Sequence, residues 1–317
     1  MTTKPIRQQF ADTMLEVGQK DFNLVVLVGD ISHFRLQPFA KTCPGRYYNV
    51  GICESTMVSM AAGLAKIGFY PVVHTIAPFI IERAFEQIKL DFCYQGLGGN
   101  LITVGSAFDY SNLGCTHHCY GDFALLKTLP NAQITYPASS VEFDTLFRQT
   151  YRNDKLTLFR IPERQHGQNF GAKNIQFGKG IKITDGSNLT IVAAGPQLGN
   201  VLAARSVLTN MGYDTEILYI HTIRPLDIEL IRASVGKTKC VLVVEEHMRS
   251  GGLGDDVLRV TKDISNVKYS FLSIPDSFVT EYGSYEGHCE RLGLTRDGIL
   301  SRVKADFGRH NALNIKR

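Results

Sequence analysis

This chain has no CxxC pair, no run of basic residues, no low-complexity tract and no long apolar stretch, and each absence removes a class of function. Its seven cysteines are an odd number without paired spacing, so they read as reduced thiols in the cytoplasm. The 34 Lys+Arg against 30 Asp+Glu leave a net charge of +4. With no alternation of aromatic and basic residues, that balance is too weak to suit a nucleic acid. The opening stretch MTTKPIRQQFADTMLEVGQKD is amphipathic, with Ile6, Phe10, Met14 and Val17 along one face, and it lacks the continuous apolar core of a secretory signal. No later run approaches the roughly 20 apolar residues that cross a bilayer, so a soluble protein is expected. What remains is a sequence that is 44% hydrophobic, enough for real cores, and 317 residues long, room for two domains of ordinary size.

Short β-branched runs alternate with helical periods along that length. Strand candidates in the first half are residues 23–29, 70–76, 100–106, 132–137 and 155–161, with helices expected over 54–66, 79–90, 122–129 and 140–151. A stretch rich in Gly, Gln and Asn, 162–180, then breaks both periods. A second alternating unit follows, with strands at 189–194, 214–220, 240–245 and 268–274 and helices near 199–211, 227–235, 252–260 and 296–307. The pattern predicts an α/β fold of two doubly wound domains, 1–165 and 186–317, joined by a linker over 166–185. Open sheets of this kind hold ligands beyond the C-terminal ends of their strands. That rule directs attention to GDISHFR, APF, AFDYSNLGCTHHCYGD and RIPERQH, where charged, imidazole and aromatic groups concentrate.

Within NVGICESTMVSMAAGLAKIGF, Glu54 stands in front of an apolar run of small residues. One reading is a helix start, where an acidic group is favoured by up to about 1 kcal/mol. The other is a partly buried carboxyl whose proton is under control, since burial can raise a carboxyl pKa by about 3–5 units. Spacing leaves both open. GCTHHC gathers Cys115, His117, His118 and Cys119, but tetrahedral zinc usually draws ligands from two separated elements, so a loop histidine facing substrate is the better reading. Cys43, Cys53 and Cys93 carry no activating pattern and read as small packing residues. GLGGN precedes a strand and is therefore no dinucleotide loop. SGGLGDD does follow a strand and open a helix, geometry that could hold an anion, but it lacks a P-loop lysine; a turn for close helix–sheet packing fits better.

Several motifs in one order resemble the C-terminal half of transketolase. They are GICE followed by a small-residue helix ending GLA, RAFEQI, GCTHHCYGDFALLKTLPNAQITYPAS, and in the second unit HTIRPLDIELI, VLVVEEH, GGLGDDV and IPDSFVTEYGS. The resemblance implies a pyrimidine-binding domain followed by a transketolase C-terminal domain, and thiamine diphosphate as cofactor. Enzymes of that kind grip the diphosphate through a metal and a GDG motif followed by Asn, and no GDG occurs here. The resemblance therefore implies the beta-like subunit of a split transketolase, with Mg2+ or Ca2+ held mainly by a partner subunit in an α2β2 assembly. It would move a two-carbon ketol unit from a ketose, or ketose phosphate, to an aldose.

Carried over residue by residue, Glu54 matches the glutamate that bonds N1′ of the aminopyrimidine and drives its amino/imino exchange, leaving the cofactor to supply the nucleophile. Phe79 matches an aromatic packed on that ring, with Ile76 and Arg83 beside it, and Asp30 an acidic group on the thiazolium side. His117 matches the histidine of the TH pair that contacts the donor sugar. Arg160 matches an arginine that binds the sugar phosphate, and Arg7 and His33 add positive charge to the same funnel. Three positions depart from the family: Leu113 stands where an acidic residue is usual, Gly105 where a phosphate-assisting histidine is usual, and Ile76 where an aromatic is usual. They leave cofactor activation intact and point toward a modified ketose or an unusual acceptor. Rival readings are the beta subunit of a 2-oxo acid dehydrogenase, a synthase of the 1-deoxyxylulose type, and a non-catalytic scaffold.

Overall fold

The computed structural model describes residues 4–308. The ends of the chain, including the last nine residues of the expected second domain, lie outside the described residues. Twelve strands are described: β1 Leu24–Val28, β2 Tyr47–Asn49, β3 Tyr70–Ile76, β4 Gly99–Val104, β5 Ala132–Thr135, β6 Leu156–Ile161, β7 Ile181–Thr184, β8 Leu189–Ala193, β9 Thr215–Tyr219, β10 Thr222–Arg224, β11 Cys240–Met248 and β12 Lys268–Ile274. In the first half the α-helices are α1 Ile6–Lys20, α2 His33–Thr42, α3 Glu54–Lys66, α4 Ala77–Ile81, α5 Phe85–Gln87, α6 Asp122–Lys127 and α7 Ser140–Thr150. The second half adds α8 Gln197–Asn210, α9 Ile228–Thr238, α10 Leu253–Thr261, α11 Tyr285–Leu292 and α12 Arg296–Phe307.

The strands form two sheets, a seven-stranded one in the order β10-β5-β6-β4-β3-β1-β2 and a five-stranded one in the order β12-β11-β8-β9-β7. Both are parallel except for one antiparallel edge strand each, β10 and β7. β1, β4, β6 and β8 are buried along their whole length, as strands of a parallel sheet between two helical layers are. One face of the first sheet packs on α1, α2 and α7, through Phe10, Phe39, Phe143 and Phe147. Its opposite face and one face of the second sheet share a continuous core, running from Met57 and Phe123 to Ile231 and Val257. The anticipated face of α1 is indeed inside: Ile6, Phe10, Met14 and Val17 are all buried.

Three stretches differ from the sequence reading. The helix expected over 79–90 is broken: α4 stops at Ile81, the chain turns through residues 82–84, and after α5 it winds as a π-helix over Ile88–Tyr94. That turn sends Arg83 back toward Glu54. The segment read as a linker carries β7, and its His166 is buried with Nε2 2.6 Å from Glu142 Oε1. The third is β10, which leaves the second half of the chain and pairs antiparallel with β5 of the first sheet. Beside it, the Arg224 guanidinium donates to the carbonyls of Lys127 and Leu129, both at 3.0 Å, and of Pro130 at 3.2 Å. Lys127 is the last residue of α6 and Leu129 and Pro130 follow it, so the seam ties down the end of that helix.

Candidate active site

The C-terminal ends of β1, β3 and β4, with the start of α3, meet at one edge of the first sheet. Non-glycine residues with positive φ gather there: Asp30 at 52° and Ser32 at 57° after β1, and Ala107 at 46° after β4. Held in a sparsely populated region, such residues mark places where the fold over-determines the backbone.

Glu54 is the first residue of α3 and is only 2% exposed. Position in the first turn satisfies the helix-start reading, but the side chain has a further partner: Oε2 accepts a hydrogen bond from Arg83 Nη1 at 2.7 Å. Oε1 is buried and has no hydrogen-bond partner among the described residues. The carboxyl is thus ion-paired on one oxygen and orphaned on the other, not isolated in apolar surroundings. Arg83, its side chain 47% exposed, lies over the Phe79 ring, 4.4 Å from the centroid. Phe79 is brought to the surface because Pro78 at the start of α4 turns the chain directly out of β3. Its ring meets His117 edge-on, with centroids 5.2 Å apart. His117 Nδ1 shares a hydrogen bond with Thr116 Oγ1 at 2.9 Å. Glu54, Arg83, Phe79 and His117 therefore form one continuous strip, and Ile76 is partly buried at the N-cap of α4 beside it.

A second group adjoins the strip. Arg7, Asp30 and His33 border one open hollow. Asp30 is exposed and its Oδ1 accepts from Asn49 Nδ2 at 3.1 Å, while the His33 ring tilts on Phe34 with centroids 4.0 Å apart. Arg7 Nε donates to Ser32 Oγ at 2.7 Å, and Ser32 Oγ lies 2.8 Å from His74 Nε2. Neither Ser32, His74 nor Tyr110 was marked in the sequence. Tyr110 and Ser32 do lie in loops the strand-end rule pointed to, whereas nothing but its place in an apolar strand could have flagged His74.

Arg160 is the clear departure. It is 0% exposed, sealed between the two sheets, and so does not reach a sugar phosphate from this position. Nε lies 3.0 Å from Asp122 Oδ2, and Nη2 donates to the carbonyls of Cys119 at 3.2 Å and Glu246 at 2.9 Å. The rings of Phe123 and Tyr136 each lie 4.6 Å from its guanidinium carbon. Burial alone would discharge it, but Asp122, Tyr136 and Glu246 hold it charged. Next to it, Glu246 accepts from Gln197 Nε2 at 2.9 Å and from the Tyr285 hydroxyl. Burial, and then Glu246, push Asp109 up to about 8.

The histidines and cysteines of GCTHHC diverge. Cys115 is exposed, His117 faces Phe79, Cys119 is buried, and His118 packs against His288 with ring centroids 5.7 Å apart. Cys43 and Cys93 are buried, as packing residues should be, but Cys53 is exposed where it precedes α3. The SGGLGDD turn is filled by the chain's own carboxyl group, because Glu245 accepts from the N–H of Leu253 at 2.7 Å and of Gly254 at 2.8 Å. It is a structural turn.

Residues 3–168 match the pyrimidine-binding domain of transketolase, and residues 178–299 match the transketolase C-terminal domain. The chain belongs to the transketolase family. Among its relatives is one of the subunits of apulose-4-phosphate transketolase from Phocaeicola vulgatus, 31% identical over 92% of this chain and 94% of that one. Another is a subunit of 6-deoxy-6-sulfo-D-fructose transketolase from Clostridium sp. (strain MSTE9), 28% identical over 93% of this chain and 92% of that one. A solved split-gene transketolase, described as an inactive beta4 tetramer, superposes with a TM-score of 0.86 at 27% identity, covering 97% of this chain and 99% of the other. Family membership implies thiamine diphosphate, and the strip through Glu54 belongs to the pyrimidine-binding match. Among the described residues no helix is long and apolar enough to cross a membrane.

Proposed function

We propose that this chain is the beta-type subunit of a split transketolase, transferring a two-carbon ketol unit from a ketose donor to an aldose acceptor. A partner subunit would bring the diphosphate-binding half, including the Mg2+ or Ca2+ that the missing GDG motif would otherwise help to hold, and the two would assemble as α2β2. Carbohydrate metabolism in the cytoplasm is the setting that fits the reduced cysteines.

The observation that carries this reading is the orphaned Oε1 of buried Glu54. An unsatisfied buried polar atom costs about 1–3 kcal/mol, a cost removed when a ligand supplies the missing partner. The N1′–H carried by the protonated or imino form of the cofactor's pyrimidine is such a partner. Bound thiamine diphosphate supplies the carbon nucleophile. Glu54 then holds the proton at N1′, Phe79 offers an aromatic face for the ring, and Arg83, nearly half exposed, is the member of the strip able to move. Asp30 stands on the thiazolium side, and His117 is placed to meet the donor's carbonyl or hydroxyl oxygens. The two named relatives support a sugar substrate, since each is called a sugar transketolase subunit.

Reconstitution with a diphosphate-binding partner tests the proposal. The isolated chain should be inactive, and the pair should transfer ketol units but not oxidatively decarboxylate pyruvate onto lipoamide. Glu54→Gln should lower the rate of the pair at least ~100-fold without changing the melting temperature. Full activity after that substitution, or turnover by the isolated chain, would overturn the reading.

A further inference from the structure

The loop after β4 closes on itself at the place where the family usually carries a phosphate-assisting histidine. Gly105 has φ +75°, and a Cβ there would come within 2.5 Å of the Tyr110 ring, so the phenol fills the space a side chain at 105 would need. Tyr110 is partly buried, stands edge-on to His117 with centroids 6.1 Å apart, and lies close enough to Arg7 for the guanidinium to act electrostatically on its hydroxyl. A guanidinium only donates, so beside Arg7 the phenol O–H is left to donate elsewhere.

Arg7 is fixed from behind by a chain with a forced direction. The Ile102 carbonyl, 2.9 Å from His74 Nδ1, can only accept, so Nδ1 carries the proton. Burial holds His74 neutral, at about 3, so its Nε2 accepts from Ser32 Oγ, which in turn accepts from Arg7 Nε. Ser32 and His74 are thus positioning residues for Arg7. Arg35 and Arg164 border the neighbouring pocket with Glu163; Arg164 is paired with Glu286 at 2.9 Å, while Arg35, whose Nη1 donates to the neutral Gln8 Oε1 at 2.7 Å, keeps a charge that the Glu163 carboxylate on the same pocket offsets. With Arg160 sealed away and Gly105 bare, the accessible charge is close to a single cation beside a neutral donor.

We propose that Tyr110 is a specificity-determining residue of the donor site, its phenol O–H joining Arg7 to bind a tetrahedral oxyanion at the far end of the ketose. The inference rests on the donor site assigned above. Because a neutral hydroxyl takes the place of an imidazole, the site responds to one negative charge and to hydrogen-bond geometry. A second charge on the ligand adds little, and a sulfonate is bound about as well as a phosphate.

The test uses the reconstituted complex and three donors: fructose 6-phosphate, 6-deoxy-6-sulfo-D-fructose, and hydroxypyruvate, which delivers the same two-carbon unit but ends short of Tyr110. Tyr110→Phe should raise KM for both oxyanion donors about tenfold, leaving kcat and the hydroxypyruvate KM unchanged. Ser32→Ala should move the same two KM values in the same direction, but less. In the unaltered complex, KM for the phosphate and the sulfonate should agree within about threefold. Unmoved KM values for the oxyanion donors, an equal rise with hydroxypyruvate, or a strong phosphate preference would each overturn the inference alone. A complex that transfers ketol units from no donor would overturn the function proposed above and this inference with it.

Discussion

Two polar assemblies lie near the same edge of the first sheet and obey opposite rules. Along Glu54, Arg83, Phe79 and His117 the groups are partly open, and one carboxylate oxygen has no partner. Around Arg160 everything is closed: Asp122, two backbone carbonyls and two aromatic faces surround a guanidinium that water cannot reach. The same residue type can therefore stand partly open to solvent, as Arg83 does, or be sealed as a tie between sheets, as Arg160 is. Accessibility decides which, and accessibility depends on how the second half of the chain packs on the first.

The contrast can be broken most sharply at Arg160. Removing one member of a buried ion pair leaves the other charge uncompensated, at a cost of about 3–5 kcal/mol. Arg160→Met should lower the urea unfolding free energy by that order, and adding Asp122→Leu should recover much of it. A loss below about 1 kcal/mol would put Arg160 back among the surface groups.

Asp109, beside the same cluster, gives a pH-dependent version. Its folded value of about 8 lies above the roughly 3.9 of an unfolded aspartate, so the folded state holds the extra proton between them. Its contribution is complete below pH ~4 and is lost as pH rises toward the folded value, with a slope of up to about 1.4 kcal/mol per unit. Thermal unfolding from pH 5 to 8 should show this decline, and Asp109→Asn should flatten it. A wild-type curve that rises over the window, with the variant unchanged, would contradict the assignment.

The smallest effect belongs to the open strip. Arg83→Met removes a half-exposed cation but leaves the buried Glu54 Oε2 without a donor, so stability should fall by about 1–3 kcal/mol, less than at Arg160. Affinity of the reconstituted complex for thiamine diphosphate, measured by titration, should nevertheless weaken, because Glu54 loses the group that orients it. A large stability loss with unchanged affinity would erase the difference between the two assemblies.

How much of this was legible in the sequence depended on range. The span of α3 could be read from a compact apolar period, and motifs with fixed spacing drew attention to Glu54 and His117, which the fold brings into one strip. The helix over 79–90 could not, because its break depends on a turn that brings Arg83 to Glu54, 29 positions away. α2 carries Pro38 in its interior and buries only Leu36 and Phe39, too faint a pattern to show as a helix. The order Arg7, Ser32, His74 joins residues 25 and 42 positions apart, which no local pattern records. Arg160 was placed by motif and misplaced by environment, since its sealing partner Glu246 lies 86 residues downstream.

The seam made by β10 has a bearing on any attempt to recombine this protein with its relatives. A crossover drawn through the connection before β7 would separate Thr222 and Arg224 from the β5 register they complete, and would take the Arg224 guanidinium away from the carbonyls of Lys127, Leu129 and Pro130. A hybrid joined there would have to carry a matching seam on both sides, so the practical unit of exchange is the whole chain.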